Sequence, residues 1–246
     1  MEDIAETSPR RVARTAGFLY LITIITGVFS AFFVNSALVV RNDPVATASH
    51  IAGAEMLYRF GVAAELIGTL AYVGVTAFLY VLLKPVNRTV SVLAALFSSV
   101  GCAVGIINVA NQSAPLLLLG NMPYLTPFTP AQLQVLAFVS LKLNAQANNA
   151  GLICFAFYCA LIGWLVFKST FLPRAVGVLM LIAGAAWMIN GFAVILFPAL
   201  AAKIFPIVGV GIIGEGSLCL WLMLAGVKVD RWQSQAALAK ARSAFV

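Results

Sequence analysis

Long apolar runs separated by short polar connections dominate the chain. A helix needs about 20 apolar residues, each rising about 1.5 Å, to cross the hydrocarbon core of a bilayer. The runs that reach this length are residues 15–36, 58–83, 90–119, 147–167, 173–197 and 207–227. We therefore predict an all-α fold, a polytopic membrane protein that forms a bundle of six transmembrane helices. The first run is too long for a signal peptide, and we interpret it as a retained span.

The positive charges are distributed unequally between the two sides of these spans. One side collects Arg10, Arg11, Arg14, Lys84, Arg88, Lys168, Arg174, Lys228, Arg231, Lys240 and Arg242. The other side collects Arg41, Arg59, Lys142 and Lys203. Since Lys and Arg accumulate in cytoplasmic loops, both termini are predicted to be cytoplasmic, in a plasma (inner) membrane.

The composition excludes several classes of protein. Hydrophobic residues make up 62% of the 246 residues and charged residues 9%, against about 25% charged residues in ordinary soluble domains. We predict a single membrane domain over residues 1–246, with residues 228–246 as a short cytoplasmic tail. The formal charge of +7 does not indicate nucleic-acid binding, because the basic residues lie at the ends of apolar runs. Membrane lipids are the expected partners there.

The predicted outer connections contain short helices of their own. Asp43 followed by Pro44 is typical of an N-cap and first helical position, and it predicts an interfacial helix toward Glu55. Thr129 and Gln132 have the spacing of a capping box. We expect the helix that they begin to reach an amide-rich hinge at residues 144–149. The third run is long enough to tilt, or to break near Pro115.

Polar side chains inside the spans are few, and they fall at similar depths in the predicted outer half. An unpaired polar group in hydrocarbon costs several kcal/mol, so the cheapest arrangement turns these groups toward each other around an outward-opening cavity. The predicted ligand-binding residues are Glu65, Glu215, Arg59, Asn108, Asn111, Gln112, Asn149 and Asn190. The alternative is a structural network in which these groups satisfy one another, with Glu65 neutralised by Arg59.

Two further patterns bear on the chemistry of the spans. Tyr58, Glu65 and Tyr72 recur at seven-residue spacing, which places hydroxyl donors on the face of the acid. Small-residue stripes such as Gly177, Gly184 and Gly191 favour close helix packing. The run 209–214 matches GxGxxG, but no strand precedes it and we reject a nucleotide site. No cofactor or metal site is predicted, because His50 is the single histidine.

Several stretches together resemble a known family. They include LYVLLKPVNRTVSVLAALF, FKSTFLPRAVGVLMLIAG and GEGSLCLWLMLAGV. The most specific pieces are Leu79-Tyr80 with Lys84-Pro85-Val86-Asn87, and Leu172-Pro173-Arg174 with Gly177. Over roughly residues 14–227 the chain resembles a bacterial membrane family catalogued as domain of unknown function 4386. The resemblance implies a multi-span membrane protein and no established activity.

Three functions remain open from the sequence. The leading hypothesis is the binding or transport of a small or amphipathic molecule through a polar cavity in the outer half of the bundle, with a small molecule or a lipid as the ligand. Glu65 and Glu215 would hold charge or a proton there, and Arg59 would pair with an anionic group or with Glu65. The alternatives are an intramembrane enzyme acting on a lipid or lipid-linked substrate, and a structural or partner-binding bundle. No catalytic residue is assigned, and an enzyme is not the favoured interpretation.

Overall fold

The computed structural model describes residues 8–120, 122–204 and 206–243, and over these residues the chain is all-α without strands. The last three residues of the predicted tail, 244–246, lie outside the described residues. The helices are α1 Pro9–Leu38, α2 Pro44–Gly53, α3 Glu55–Leu83, α4 Arg88–Leu118, α5 Pro130–Lys168, α6 Arg174–Leu196, α7 Pro198–Ile204, α8 Ile207–Leu224 and α9 Val229–Ser243. A 3₁₀ turn, Pro123–Leu125, precedes α5.

Six of these helices are long and apolar enough to cross a membrane: α1, α3, α4, α5, α6 and α8. Large apolar side chains remain exposed along them, as at Ile107, which is 74% exposed, and Leu224, which is 68% exposed. A soluble protein rarely presents so much apolar surface to water, whereas lipid accommodates it. The chain is a multi-pass membrane protein, and the six predicted spans are confirmed.

Local capping explains where α2 and α5 begin. The Asp43 carboxylate accepts a hydrogen bond from the Ala46 backbone N–H at 2.9 Å, and Pro44 is the first residue of α2. At the start of α5, the Gln132 N–H donates to Thr129 Oγ1 at 3.3 Å, and the Thr129 N–H donates back to Gln132 Oε1 at 2.8 Å. Both caps satisfy N–H groups that a helix leaves without partners, and both sequence predictions are confirmed.

The hinge expected at residues 144–149 is wrong, because helix α5 runs through these residues without interruption. Of the two alternatives for the third run, a tilt or a break near Pro115, the break is not observed, since α4 continues past Pro115 to Leu118. The side-chain amides of Asn144 and Asn148 bond to each other and to Asn108 on α4, and so they do not compete for the backbone of α5. Pro115 lies in the last turn of α4, where the Leu119 N–H still reaches its carbonyl at 2.9 Å.

The described chain divides into two compact units. Unit 1 comprises residues 8–21, 71–102 and 150–243, and unit 2 comprises Ile22–Leu70 and Ala103–Asn149. The core of unit 2 is an apolar cluster around Val34, Ile51, Tyr58 and Leu141.

Glycine contacts between helices organise unit 1. A Cβ added to Gly177 would lie 2.6 Å from the backbone N of Phe167, and one added to Gly184 would lie 2.7 Å from that of Ala160. At Gly191 it would lie 2.6 Å from Ile153 Cγ1. The predicted close packing along this stripe is therefore confirmed, and its partner is α5.

Candidate functional site

In unit 2, the Glu65 side chain on α3 receives hydrogen bonds from two other helices. Asn148 Nδ2 on α5 donates to Glu65 Oε1 at 3.2 Å, and Ser30 Oγ on α1 donates to Oε2 at 3.4 Å. Ser30 is 4% exposed and lies in the segment Phe29–Asn35, where α1 adopts π-helical geometry. Such π segments are frequent at functional sites, because they re-aim side chains within a helix. The sequence reasoning missed Ser30, since no residue pattern marks a π turn.

A chain of asparagine amides leads to this carboxylate. Asn111 Nδ2 donates to Asn108 Oδ1 at 2.9 Å, and Asn108 Nδ2 donates to Asn148 Oδ1 at 2.9 Å. Asn108 Nδ2 also donates to the backbone carbonyl of Asn144 at 2.9 Å. Successive donors polarise one another in a low-dielectric interior, and here they all point toward Glu65.

We call the set Ser30, Glu65, Asn108, Asn111, Asn144 and Asn148 the Glu65 cluster. All of its members belong to unit 2, and each is supplied by α1, α3, α4 or α5. Asn148 is exposed, whereas Asn108 is buried, so the cluster extends from the interior of the unit to its surface.

The partners of the Glu65 carboxylate are neutral. Arg59 pairs instead with Glu55, one turn away, with 2.7 Å between Arg59 Nη2 and Glu55 Oε1. Both side chains of this pair are about half exposed, at 51% and 53%. Among the described residues, Glu65 has no Lys or Arg within 4.0 Å. Within the part of the chain that the structure describes, the carboxylate is thus contacted by neutral dipoles alone.

Gln112 lies one turn beyond Asn108 on α4 and is 1% exposed. Its backbone carbonyl accepts a hydrogen bond from the Tyr58 hydroxyl at 2.5 Å. Its amide Nε2 and Oε1 are both buried without a hydrogen-bond partner among the described residues. A buried amide of this kind is costly, and it offers one donor group and one acceptor to a bound molecule.

Glu215 in unit 1 has a different environment. Trp187 Nε1 donates to Glu215 Oε1 at 2.6 Å, and the Tyr20 hydroxyl donates to Oε2 at 2.7 Å. The Tyr72 hydroxyl lies 3.4 Å from that of Tyr20, and Cys159 also approaches the carboxylate. We call Glu215, Trp187, Tyr20, Tyr72 and Cys159 the Glu215 network.

Small residues allow the Trp187 ring to reach Glu215. A Cβ at Gly211, one turn before the acid, would lie 2.6 Å from Trp187 Cζ2. At Gly214 it would lie 2.5 Å from Ala183 Cβ and 2.6 Å from the Leu179 carbonyl oxygen. Helix α8 is continuous through this region, from Ile207 to Leu224. These two glycines serve close packing of α8 against α6.

The predicted site residues are thus divided between the two units. Unit 2 contains Glu65, Arg59, Asn108, Asn111, Gln112 and Asn149, and unit 1 contains Asn190 and Glu215. Asn149 and Asn190 are both buried, on α5 and α6. A single cavity holding both acids stays a prediction.

The sequence suggests that the hydroxyl groups on the Glu65 face of α3 donate hydrogen bonds to the Glu65 carboxylate. Those of Tyr58, Tyr72 and Thr69 bond to other groups instead. Tyr58 donates to Gln112, and Tyr72 joins the Glu215 network. Thr69 bonds to the backbone carbonyl of Glu65 at 2.9 Å. Seven-residue spacing identifies residues on one helix face, but neighbouring helices decide which groups that face meets.

The family comparison agrees with this architecture. Residues 15–226 match the family described as Domain of unknown function (DUF4386). The chain belongs to the DUF4386 family. The match includes both intramembrane acids and all six spans except the first residues of α1. Neither the curated proteins nor the solved structures contain a match to this DUF4386 chain.

The DUF4386 match ends before α9, and that helix is placed by contacts of its own. Trp232 Nε1 donates to the Leu82 carbonyl at 2.9 Å, and Gln235 Oε1 accepts from Thr170 Oγ1 at 2.9 Å. Both contacts fall within unit 1. Most of the predicted tail therefore forms a helix that is docked within unit 1 of this DUF4386 protein.

Proposed function

We propose that the chain binds or transports a small amphipathic molecule that carries a positive charge, and that the Glu65 cluster is its site. The observation that carries this proposal is the Glu65 carboxylate within α3, held by neutral donors at 3.2 and 3.4 Å with no basic partner among the described residues. An acid inside a span costs about 2.5–3.5 kcal/mol on insertion scales, which favours a functional reason for its presence.

The chemistry of the cluster favours a cationic ligand. A protonated amine would replace the long bonds from Ser30 and Asn148 with a charge-assisted hydrogen bond, which is shorter and stronger. A lipophilic cation without N–H groups would pair with the carboxylate by charge alone. The asparagine amides provide donors and acceptors that orient its polar part. The apolar side chains of the surrounding helices accommodate a hydrophobic body. From the distribution of Lys and Arg, we place the entrance in the outer half of the membrane.

The experiment measures binding of tetraphenylphosphonium, a lipophilic cation, to the full chain purified in mild detergent. In Glu65→Gln the side chain keeps its shape and loses its charge, and we expect affinity to fall at least tenfold, or about 1.4 kcal/mol. The matched control is Glu55→Gln, an acid on the same helix that is exposed and paired with Arg59. Its affinity should stay within twofold of the original protein.

Equal affinity in the Glu65→Gln variant and the original chain would reject the proposal, as would equal losses in both variants. Native mass spectrometry of the same samples identifies molecules that co-purify, and a mass lost only in Glu65→Gln would report the natural ligand. Uptake of labelled tetraphenylphosphonium into proteoliposomes then separates transport from binding without translocation.

A further inference from the structure

A cavity of about 530 Å³ lies in unit 1, and none of the residues that line it belongs to the Glu65 cluster or the Glu215 network. It is bounded by the connection between α5 and α6, by the end of α8 and by the start of α9. Its volume falls within the range of about 300–1,000 Å³ that is typical of ligand sites. No residue of the Glu65 cluster contributes to it, so the proposal made here does not rest on the proposed function.

Four cationic side chains line this cavity: Lys168, Arg174, Lys228 and Arg231. None of the residues that line it is Asp or Glu. Among the described residues, none of the four cations has a carboxylate within 4.0 Å. The acid next in sequence, Asp230, lies in the first turn of α9 and does not line the cavity. The field inside is therefore positive and uncompensated.

Hydrogen bonds connect the segments that form the walls of this cavity. The Lys228 N–H donates to the Phe171 carbonyl at 3.3 Å, and Arg231 Nη1 donates to the Thr170 carbonyl at 3.4 Å. The Arg174 guanidinium lies over the Phe167 ring, 5.8 Å from its centroid. Gly226 has φ of +67°, which allows the sharp turn from α8 toward α9.

We propose that this basic cavity binds a phosphate group, carried either by the headgroup of an anionic phospholipid or by a soluble phosphate compound. Guanidinium groups match phosphate oxygens in pairs, and lysines add compact positive charge. All four cations belong to the predicted cytoplasmic side, where basic pockets between spans bind anionic headgroups. Topology alone explains a surplus of Lys and Arg on that side, but not their convergence on one acid-free cavity.

The test compares two double variants with the same charge change. Arg174→Gln with Lys228→Gln removes two cations from opposite walls of the cavity. Arg88→Gln with Lys84→Gln is the control, since both residues are exposed, belong to the same predicted side and do not line the cavity. All four substituted side chains are exposed, so both variants should keep the thermal stability of the original chain.

Binding is measured by native mass spectrometry with three probes: phosphatidylglycerol, glycerol 3-phosphate and diacylglycerol, which lacks phosphate. We expect the cavity variant to bind at least one phosphate probe about tenfold more weakly, with the control variant and diacylglycerol binding unchanged. A loss confined to phosphatidylglycerol assigns the site to lipid, and a loss confined to glycerol 3-phosphate assigns it to soluble phosphates. Equal losses in the two variants, or no binding of either phosphate probe, would overturn the proposal.

Discussion

The two acids inside the spans show how differently a bundle can hold the same side chain. Glu215 accepts two short hydrogen bonds, at 2.6 and 2.7 Å, from Trp187 and Tyr20. Glu65 accepts two long ones, at 3.2 and 3.4 Å, from Asn148 and Ser30. The donors of Glu215 are large rings fixed by packing, whereas one donor of Glu65 is an exposed amide.

This difference in donors and hydrogen-bond lengths supports a structural role for Glu215 and the proposed binding role for Glu65. The Tyr20 ring packs edge-on against Tyr72 at 5.4 Å, and Tyr72 packs against Phe155 at 4.8 Å. Removing the Glu215 carboxylate would leave the buried Trp187 N–H without its acceptor, and the Tyr20 hydroxyl with only the Tyr72 hydroxyl at 3.4 Å. The Glu65 donors are smaller, and Asn148 already has a second acceptor in Asn144 Oδ1 at 3.3 Å. The Glu65 cluster can therefore exchange partners for a ligand at low cost.

The largest expected effect is the loss of stability on Glu215→Ala. The substitution leaves the Trp187 N–H buried without an acceptor and the Tyr20 hydroxyl with only the long contact to Tyr72 at 3.4 Å. We expect the free energy of unfolding to fall by about 3 kcal/mol, since an unpaired buried donor costs about 1–3 kcal/mol. Glu65→Ala should lower it by about 1 kcal/mol or less, because interhelical hydrogen bonds in membranes average about 0.6 kcal/mol. Reversible unfolding of the two variants in mixed micelles measures both values. Equal losses would abolish the contrast between the two acids.

A smaller effect is expected from the glycines beside Glu215. Gly214→Ala places a methyl group against the Leu179 carbonyl, and the resulting overpacking should cost about 2 kcal/mol. The matched control is Gly216→Ala, where nothing lies within 4 Å of the added Cβ and stability should be unchanged or slightly raised. Thermal unfolding of both variants decides the point. A destabilised Gly216→Ala protein would show that helix packing is not the cause.

The smallest effect is expected at Arg59. Its ion pair with Glu55 is half exposed, so Arg59→Gln should change the free energy of unfolding by less than about 0.5 kcal/mol. Binding of tetraphenylphosphonium should also stay within twofold, because Arg59 contacts Glu55 and not the Glu65 cluster. A loss of affinity as large as that of Glu65→Gln would place Arg59 in the site, as the sequence suggested. The same micelle and binding assays report both quantities.

The sequence identifies residues of the Glu65 cluster because a polar side chain in a membrane span carries a high free-energy cost. An acid or amide in an apolar run is conspicuous, and Glu65, Asn108 and Asn111 were recognised for that reason. Ser30 was missed, because a serine is unremarkable in a span and its position depends on the π-helical turn of α1. Tyr20 was missed likewise, since an aromatic side chain in an apolar run resembles ordinary core.

The sequence by itself determined the six spans, the caps at Asp43 and Thr129, and the presence of polar groups within the membrane. These follow from local rules, since apolar length, capping chemistry and burial cost act within one helix or its ends. The tertiary structure alone decided the partners: Asn148 for Glu65, Trp187 for Glu215, Glu55 for Arg59, and the convergence of four cations on one cavity. A side chain meets residues far along the chain only after helices pack, and that packing depends on many small contacts acting together.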